Sequence, residues 1–113
     1  MLTGATGFLG KVILEKMLRT ITGLKKIYVM VRPRKNTTIR KRMDDTIFDS
    51  PIFAPLFESK PDLKARLYDI IHPIAGDLIM EGLGMNLQER ELLISSVDCI
   101  INCAASVNFD DPL

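Results

Sequence analysis

Thr3-Gly4-Ala5-Thr6-Gly7-Phe8-Leu9-Gly10 opens the sequence, with a glycine at every third position and only Met1 and Leu2 before it. Glycines at this spacing describe a turn that hugs an anion. One permits the tight bend, one lets backbone approach a phosphate, and one lets the next helix pack close to the preceding strand. The run behind the loop has helical spacing. Leu9, Val12, Ile13, Lys16, Met17 and Ile21 fall near one face, Leu14 and Leu18 widen it, and Gly23 offers a stop. The helix is expected to begin near Phe8, with its free N–H groups turned to the anion. Thr3 and Thr6 are expected to offer hydroxyls to the same loop.

Further along, Lys26-Ile27-Tyr28-Val29-Met30-Val31 is a β-rich run ended by Arg32-Pro33. Thr37 or Thr38 can cap a second helix, with Ile39, Met43 and Ile47 on one side and Arg40, Lys41, Arg42, Asp44 and Asp45 on the other. Residues 49–69 carry Pro51, Pro55 and Pro61 and read as short helical turns around Phe53, Leu56 and Phe57. Residues 70–75 read as a third strand, placed near a sheet edge by Pro73 and ended by Gly76-Asp77-Leu78. Asn86-Leu87-Gln88-Glu89 approximates a capping box for a helix to about Ile94. Residues 97–105 are apolar apart from Asp98 and Asn102, the pattern of a fourth strand covered on both faces.

This alternation predicts an α/β fold, a doubly wound parallel sheet of Rossmann type in strand order 3-2-1-4. Its first strand reads as truncated to Met1 and Leu2. Residues 1–113 are thus expected to form the amino-terminal part of an NAD(P)-binding domain, with strands 2 and 4 short of partners at their inner edges. Apolar content of 47% and charged content of 26% exclude a disordered chain. A net charge of +1 favours neither nucleic acid nor an anionic membrane surface. No apolar run reaches the roughly 20 residues of a membrane span, and no leader precedes the loop, so the segment is expected to be soluble and cytosol-facing. Four residues of strand hold Cys99 and Cys103 roughly 13 Å apart, beyond the reach of a disulfide at about 7 Å. They are expected to be buried, reduced thiols of the core.

Four places carry the expected chemistry. The backbone of Gly4, Thr6, Gly7, Phe8, Leu9 and Gly10 would cradle a pyrophosphate. Sites that read NAD place a carboxylate at the end of the second strand, about 20 residues beyond the loop. Arg32 stands there, 22 positions after Gly10, and its fork suits a 2′-phosphate, with Arg34 and Lys35 adding charge nearby. Asp77 and Leu78 end the third strand, where a carboxylate can accept from an adenine amino group. Cys103, Ala104 and Ala105 end the fourth, where small side chains let a flat cofactor lie against backbone. Each has a plainer reading: solvated loop charges for Arg32 to Lys35, an ordinary loop or cap for Asp77, close packing for 102–106. His72, the single histidine, reads as structural, and no metal or catalytic constellation surrounds it.

Together these residues resemble the extended short-chain dehydrogenase/reductase group, whose Thr-Gly-x-x-Gly-x-x-Gly pattern runs from Thr3 to Gly10. The closer resemblance is to the alcohol-forming fatty acyl-CoA reductases of insect and other animal type. It is carried by residues 3–11, Lys26 to Pro33, Asp49-Ser50-Pro51-Ile52-Phe53, Gly76-Asp77-Leu78, and 102–109. The resemblance implies NADPH as cofactor and a long-chain acyl-CoA as substrate, reduced to an aldehyde and then to a fatty alcohol. It also implies a parent protein at a peroxisomal or endoplasmic reticulum membrane. The group's catalytic Tyr-x-x-x-Lys does not occur: Arg32 follows Tyr28 by four, and His72 follows Tyr68. The fragment alone is therefore expected to be inactive. Alternatives are a nucleotide-sugar epimerase or carrier-bound thioester reductase of the same group, or a non-catalytic NADP-sensing regulator.

Overall fold

The computed structural model describes residues 1–21, 23–77 and 80–103. Strand β1 (Leu2–Thr3) leads through the glycine loop to helix α1 (Phe8–Thr20), and strand β2 (Ile27–Val31) follows. A helical insertion then holds α2 (Ile39–Met43), a π-helical turn (Asp44–Phe48), a 3-10 turn (Pro51–Phe53), α3 (Ala54–Ser59), α4 (Pro61–Ala65) and α5 (Leu67–Ile70). Strand β3 (Ile71–Ala75), α6 (Leu87–Ser96) and β4 (Ile101–Asn102) complete the order. The strands form one parallel sheet in the expected order, β3-β2-β1-β4.

The two-residue β1 closes the centre of this sheet more fully than its length promises. Leu2 pairs with Val29 on one side and Ile101 on the other, and Thr3 pairs with Asn102. Ile101 N–H donates to the Met1 carbonyl (2.8 Å) and Cys103 N–H to that of Thr3 (3.1 Å). The expected gap between strands 2 and 4 is thus bridged, because neighbouring backbone just outside β1 extends the ladder. β2 is buried at all five positions and runs in full register with β3, from Ile27 opposite Ile71 to Val31 opposite Ala75. Pro73 takes its place opposite Val29 in β3, which pairs with β2 alone among the described strands. An edge strand tolerates a missing N–H.

Three expectations are corrected. The buried face of α1 is Gly10, Leu14 and Leu18, with Ile13 and Met17 packed against the core, whereas Leu9, Val12 and Ile21 are exposed. The stripe is rotated because Gly10 must face the loop backbone of Gly4 and Ala5, which turns Leu9 outward. The fourth strand spans Ile101–Asn102 within the described residues rather than beginning at Val97, and Ile100 is exposed. Cys99 is correspondingly exposed and Cys103 half-buried, so neither is the sealed core thiol expected.

The insertion supplies the aromatic part of the core. Thr38 caps α2 by accepting from Lys41 N–H (3.1 Å), and the Ser50 side chain accepts from Ile52 N–H (3.4 Å). Phe53 is fully buried, edge-on to Phe48 with centroids 5.3 Å apart and stacked on Phe57 at 5.8 Å. It belongs to the same cluster as Leu14 and Leu18 of α1 and Val29 of β2. Phe53→Ala should therefore lower the unfolding free energy of the whole protein by about 3–5 kcal/mol in urea titrations. Glu58→Ala, on the exposed side of α3, should change it by no more than about 0.5 kcal/mol.

Candidate functional site

Parallel register brings the carboxyl ends of the strands to one edge, and the loops that leave them meet there. In open α/β sheets this edge is where ligands gather. The chain crosses from β1 through α1 to β2 on one side of β1, while β4 lies on the other, so the strand order reverses between β1 and β4.

Gly4 leaves β1 with φ +75°, a left-handed conformation that costs side-chain-bearing residues roughly 1–2 kcal/mol. Its carbonyl accepts from Gly7 N–H at 3.1 Å, which closes the turn. The carbonyl also sits beneath the first turn of α1. A Cβ built on Gly10 would stand 2.6 Å from the Gly4 carbonyl carbon, closer still to its oxygen, and 2.8 Å from Ala5 Cα. Only glycine fits. Gly7 is the N-cap and brings no side-chain cap, and no acidic residue stands in the first turn. The first bond of helical spacing from the cap is Lys11 N–H to the Gly7 carbonyl (3.1 Å), so the amides of Phe8, Leu9 and Gly10 precede the ladder. Helix amides in that position attract an anion. Thr6 is exposed at the loop. Thr3 is not available to it: the side chain is buried and its hydroxyl donates to Asn102 Oδ1, tying β1 to β4.

Arg32 and Asp77 leave the adjacent ends of β2 and β3, and the register makes them neighbours. Arg32 Nε lies 3.3 Å from Asp77 Oδ2, with the arginine side chain 63% exposed and the carboxylate 14%. A pair this open contributes about 0–1 kcal/mol, so it holds the guanidinium only weakly. Asp77 is held by its backbone. Its N–H donates to the Leu83 carbonyl at 2.6 Å, and Gly76 N–H donates to the Val31 carbonyl at 3.1 Å. Leu83 adopts φ +59° between Gly82 and Gly84, also left-handed. A leucine there is strained, and the strain is borne where the carbonyl grips Asp77. Cys103 follows β4 at the same edge. Leu78, Ala104 and Ala105 lie outside the described residues.

Sequence pattern missed one residue. Arg42, assigned with Arg40 and Lys41 to the solvent side, is buried. The signal was present, since Ile39, Arg42 and Met43 have the i, i+3, i+4 spacing of one helix face.

Two aromatic sites are structural. His72 meets Tyr28 edge-on with centroids 5.3 Å apart. Tyr68 donates to Asp44 Oδ1 at 2.5 Å and lies under the Arg40 guanidinium, 4.0 Å from the ring centroid. Burial first, then the bond to Asp44, push its phenol well above the usual tyrosine range. It stays neutral. A cavity of about 350 Å³ beside it, lined by Arg40, Phe57 and Lys64, is remote from the glycine loop.

A glycine-bound turn at a helix start, an arginine at the end of β2 and an acidic residue at the end of β3 define an NAD(P)-binding Rossmann domain of reductase type. The chain belongs to the family described as Male sterility protein, whose NAD-binding model matches residues 2–113. It is similar to "Fatty acyl-CoA reductase wat" of Drosophila melanogaster, 38% identical over 112 residues, which are 99% of this chain and 20% of that protein. It is 39% identical over 113 residues to human "Fatty acyl-CoA reductase 2", covering 100% of this chain and 21% of that one. The chain thus spans about a fifth of the length of these relatives. Among solved structures, the reductase domain of a non-ribosomal peptide synthetase from Mycobacterium tuberculosis matches with TM-score 0.72 and 33% identity, over 94% of this chain and 24% of that one. The terminal R domain from the myxalamid pathway matches with TM-score 0.72 and 31% identity, over 98% and 25%.

The packing at Gly10 and Gly76 differs in kind. A Cβ at Gly76 would meet Met30 Sδ at 2.6 Å and the Leu83 carbonyl at 3.1 Å. The first is the end of a flexible side chain, whereas Gly10 meets backbone. Gly10→Ala should therefore cost more than the 1–3 kcal/mol or so of ordinary overpacking, and Gly76→Ala no more than that. Thermal melts of the two variants should rank them so, with dinucleotide binding lost in Gly10→Ala.

Proposed function

We propose that this chain is the cofactor-binding portion of an NADPH-dependent reductase that converts long-chain fatty acyl-CoA to fatty alcohol. The observation that carries the reading is Arg32 at the end of β2, where an NAD site would hold a carboxylate, in a chain 38% identical to a fatty acyl-CoA reductase along its length. In this reading the amides of Phe8, Leu9 and Gly10 bind the pyrophosphate, while Gly4 and Gly7 shape the turn beneath it. Thr6 adds its hydroxyl at the rim. Arg32 leaves Asp77 to hold the 2′-phosphate, and Asp77 and Leu78 border the adenine. Cys103, Ala104 and Ala105 line the floor where β4 leaves the sheet.

Bound NADPH would supply hydride. One hydride and a proton convert the thioester to an aldehyde with release of CoA thiol, and a second pair converts the aldehyde to the alcohol. The proposed role of this chain is to bind and orient the cofactor, and proton donation falls outside it, since no Tyr-x-x-x-Lys occurs in the sequence. No helix among the described residues is long and apolar enough to cross a membrane. Placement of the whole protein at a peroxisomal or endoplasmic reticulum membrane rests on its resemblance to the animal reductases.

In the full-length protein, Arg32→Ala should weaken NADPH binding roughly tenfold or more, the loss of a charge-assisted phosphate contact of about 1.5–3 kcal/mol. NADH binding should change little. Equal losses for the two cofactors, measured by fluorescence titration, would remove the phosphate assignment.

A further inference from the structure

The chain that follows β3 turns in an uncommon way. Gly82, Leu83 and Gly84 have φ of +61°, +59° and +64°, three successive residues in the left-handed region. Glycine adopts that conformation freely, whereas residues with side chains enter it singly and at a cost. The outer two positions are glycine, so the strain falls on Leu83. Backbone bonds close the turn on itself. Leu83 N–H donates to the Met80 carbonyl (3.0 Å), Met80 N–H to that of Asp77 (3.1 Å), and Asp77 N–H to that of Leu83 (2.6 Å). Leu83 is half-buried and lines an apolar cavity of about 550 Å³ together with Met85, Leu93 and Ile94. Partial withdrawal of the leucine from water into this cavity opposes its unfavourable φ.

We infer that Leu83 is a positioning residue that fixes the direction of the Asp77 carboxylate and thereby sets a preference for adenine over other purines. The inference rests on the reading of Asp77 as an acceptor for the adenine amino group. Two successive amides hold the backbone at this corner, Gly76 N–H on the Val31 carbonyl of β2 and Asp77 N–H on the Leu83 carbonyl. The first bond continues the ladder of the sheet. The second depends on the left-handed backbone at Leu83, which turns its carbonyl back toward the end of β3. The approach is close, since a Cβ on Gly76 would stand 3.1 Å from that same carbonyl oxygen. With both amides held, the Cα–Cβ direction of Asp77 is set before any ligand binds, and little freedom is lost on binding. A carboxylate so fixed can accept from the amino group of adenine. Hypoxanthine has a carbonyl oxygen in that place, which brings a second acceptor against the charge. A glycine at position 83 could take the same φ, but it lacks the side chain that seats the turn and has more backbone freedom to lose. Strain at Leu83 thus accompanies rigidity at Asp77.

The test compares 5′-AMP with 5′-IMP, whose base is hypoxanthine, titrated calorimetrically into the full-length protein and its Leu83→Gly, Leu83→Met and Asp77→Ala variants. The ratio of AMP to IMP affinity decides. Asp77→Ala should lower it roughly tenfold, the loss of one hydrogen bond to a charged acceptor. Leu83→Gly should reproduce most of that fall. Leu83→Met keeps an apolar side chain of similar volume and should keep the ratio of the parent. Without ligand, Leu83→Gly should melt close to the parent, because relief of the strained φ opposes the lost apolar contact. A leucine that served stability alone would give the opposite pair of results: a lower melting temperature and an unchanged ratio. If Asp77→Ala lowers the ratio and Leu83→Gly does not, this inference fails and the Asp77 reading stands. If Asp77→Ala leaves the ratio unchanged, both fail. An equal fall in Leu83→Met and Leu83→Gly would also overturn the inference, since the apolar side chain would then not be what seats the turn.

Discussion

The contact between the Cα of Gly10 and the backbone of Gly4 and Ala5 sets the rest of the architecture. With no Cβ between them, the first turn of α1 lies directly on the loop that leaves β1. That contact fixes the rotation of α1, placing Leu14 and Leu18 inward and Phe8, Leu9 and Val12 outward. It also places the start of the helix, and with it the free amides of Phe8, Leu9 and Gly10, over the end of the central strand. One missing methyl group thus joins core packing to anion binding. A side chain at this position would move both the packed face and the helix start.

The second constraint is parallel register. Because Val31 is paired with Ala75, the residues that follow them emerge side by side, and Arg32 meets Asp77 without either loop being long. The carboxylate keeps the Arg32 guanidinium oriented, while the exposure of the arginine keeps the contact weak. Asp77 is anchored by backbone instead, through the strained Leu83 turn. The pair thus joins an exposed cation to an anion anchored from its backbone.

Element order, strand order and the glycine turn were legible in the sequence because each follows from local rules: spacing for helices, alternation for the sheet, crossover handedness for its order. Thr38 and Asn86 likewise behaved as caps, with Asn86 accepting from Glu89 N–H at 2.7 Å. What the pattern misjudged depended on partners distant in sequence. Leu9 has core spacing, but the Gly10 contact turns it out. Cys99 and Ile100 belong to an apolar run, yet β4 pairs with β1 alone among the described strands, so that run is not covered as a buried strand would be. Thr3 sits in the phosphate loop by sequence, but its hydroxyl is committed to Asn102, nearly the whole chain away. Arg42 was read by its charge, although its spacing from Ile39 and Met43 pointed inward.

The long excursion between β2 and β3 acquires a reason from that last residue. A short connection could join two parallel strands with one helix, whereas this one also packs against α1 and buries Arg42. Here α2 passes into a π-helical turn, where Asp49 N–H reaches back to the Asp44 carbonyl at 2.9 Å, and the widened turn brings Ile47 and Phe48 inward after Met43. Thr46 Oγ1 donates to the Arg42 carbonyl at 2.6 Å, fixing the backbone at the point where the arginine enters. Behind it Phe53, Leu56 and Leu67 fill the same core that holds Leu14. The hydrophobic burial of the insertion thereby offsets the unfavourable burial of the Arg42 guanidinium.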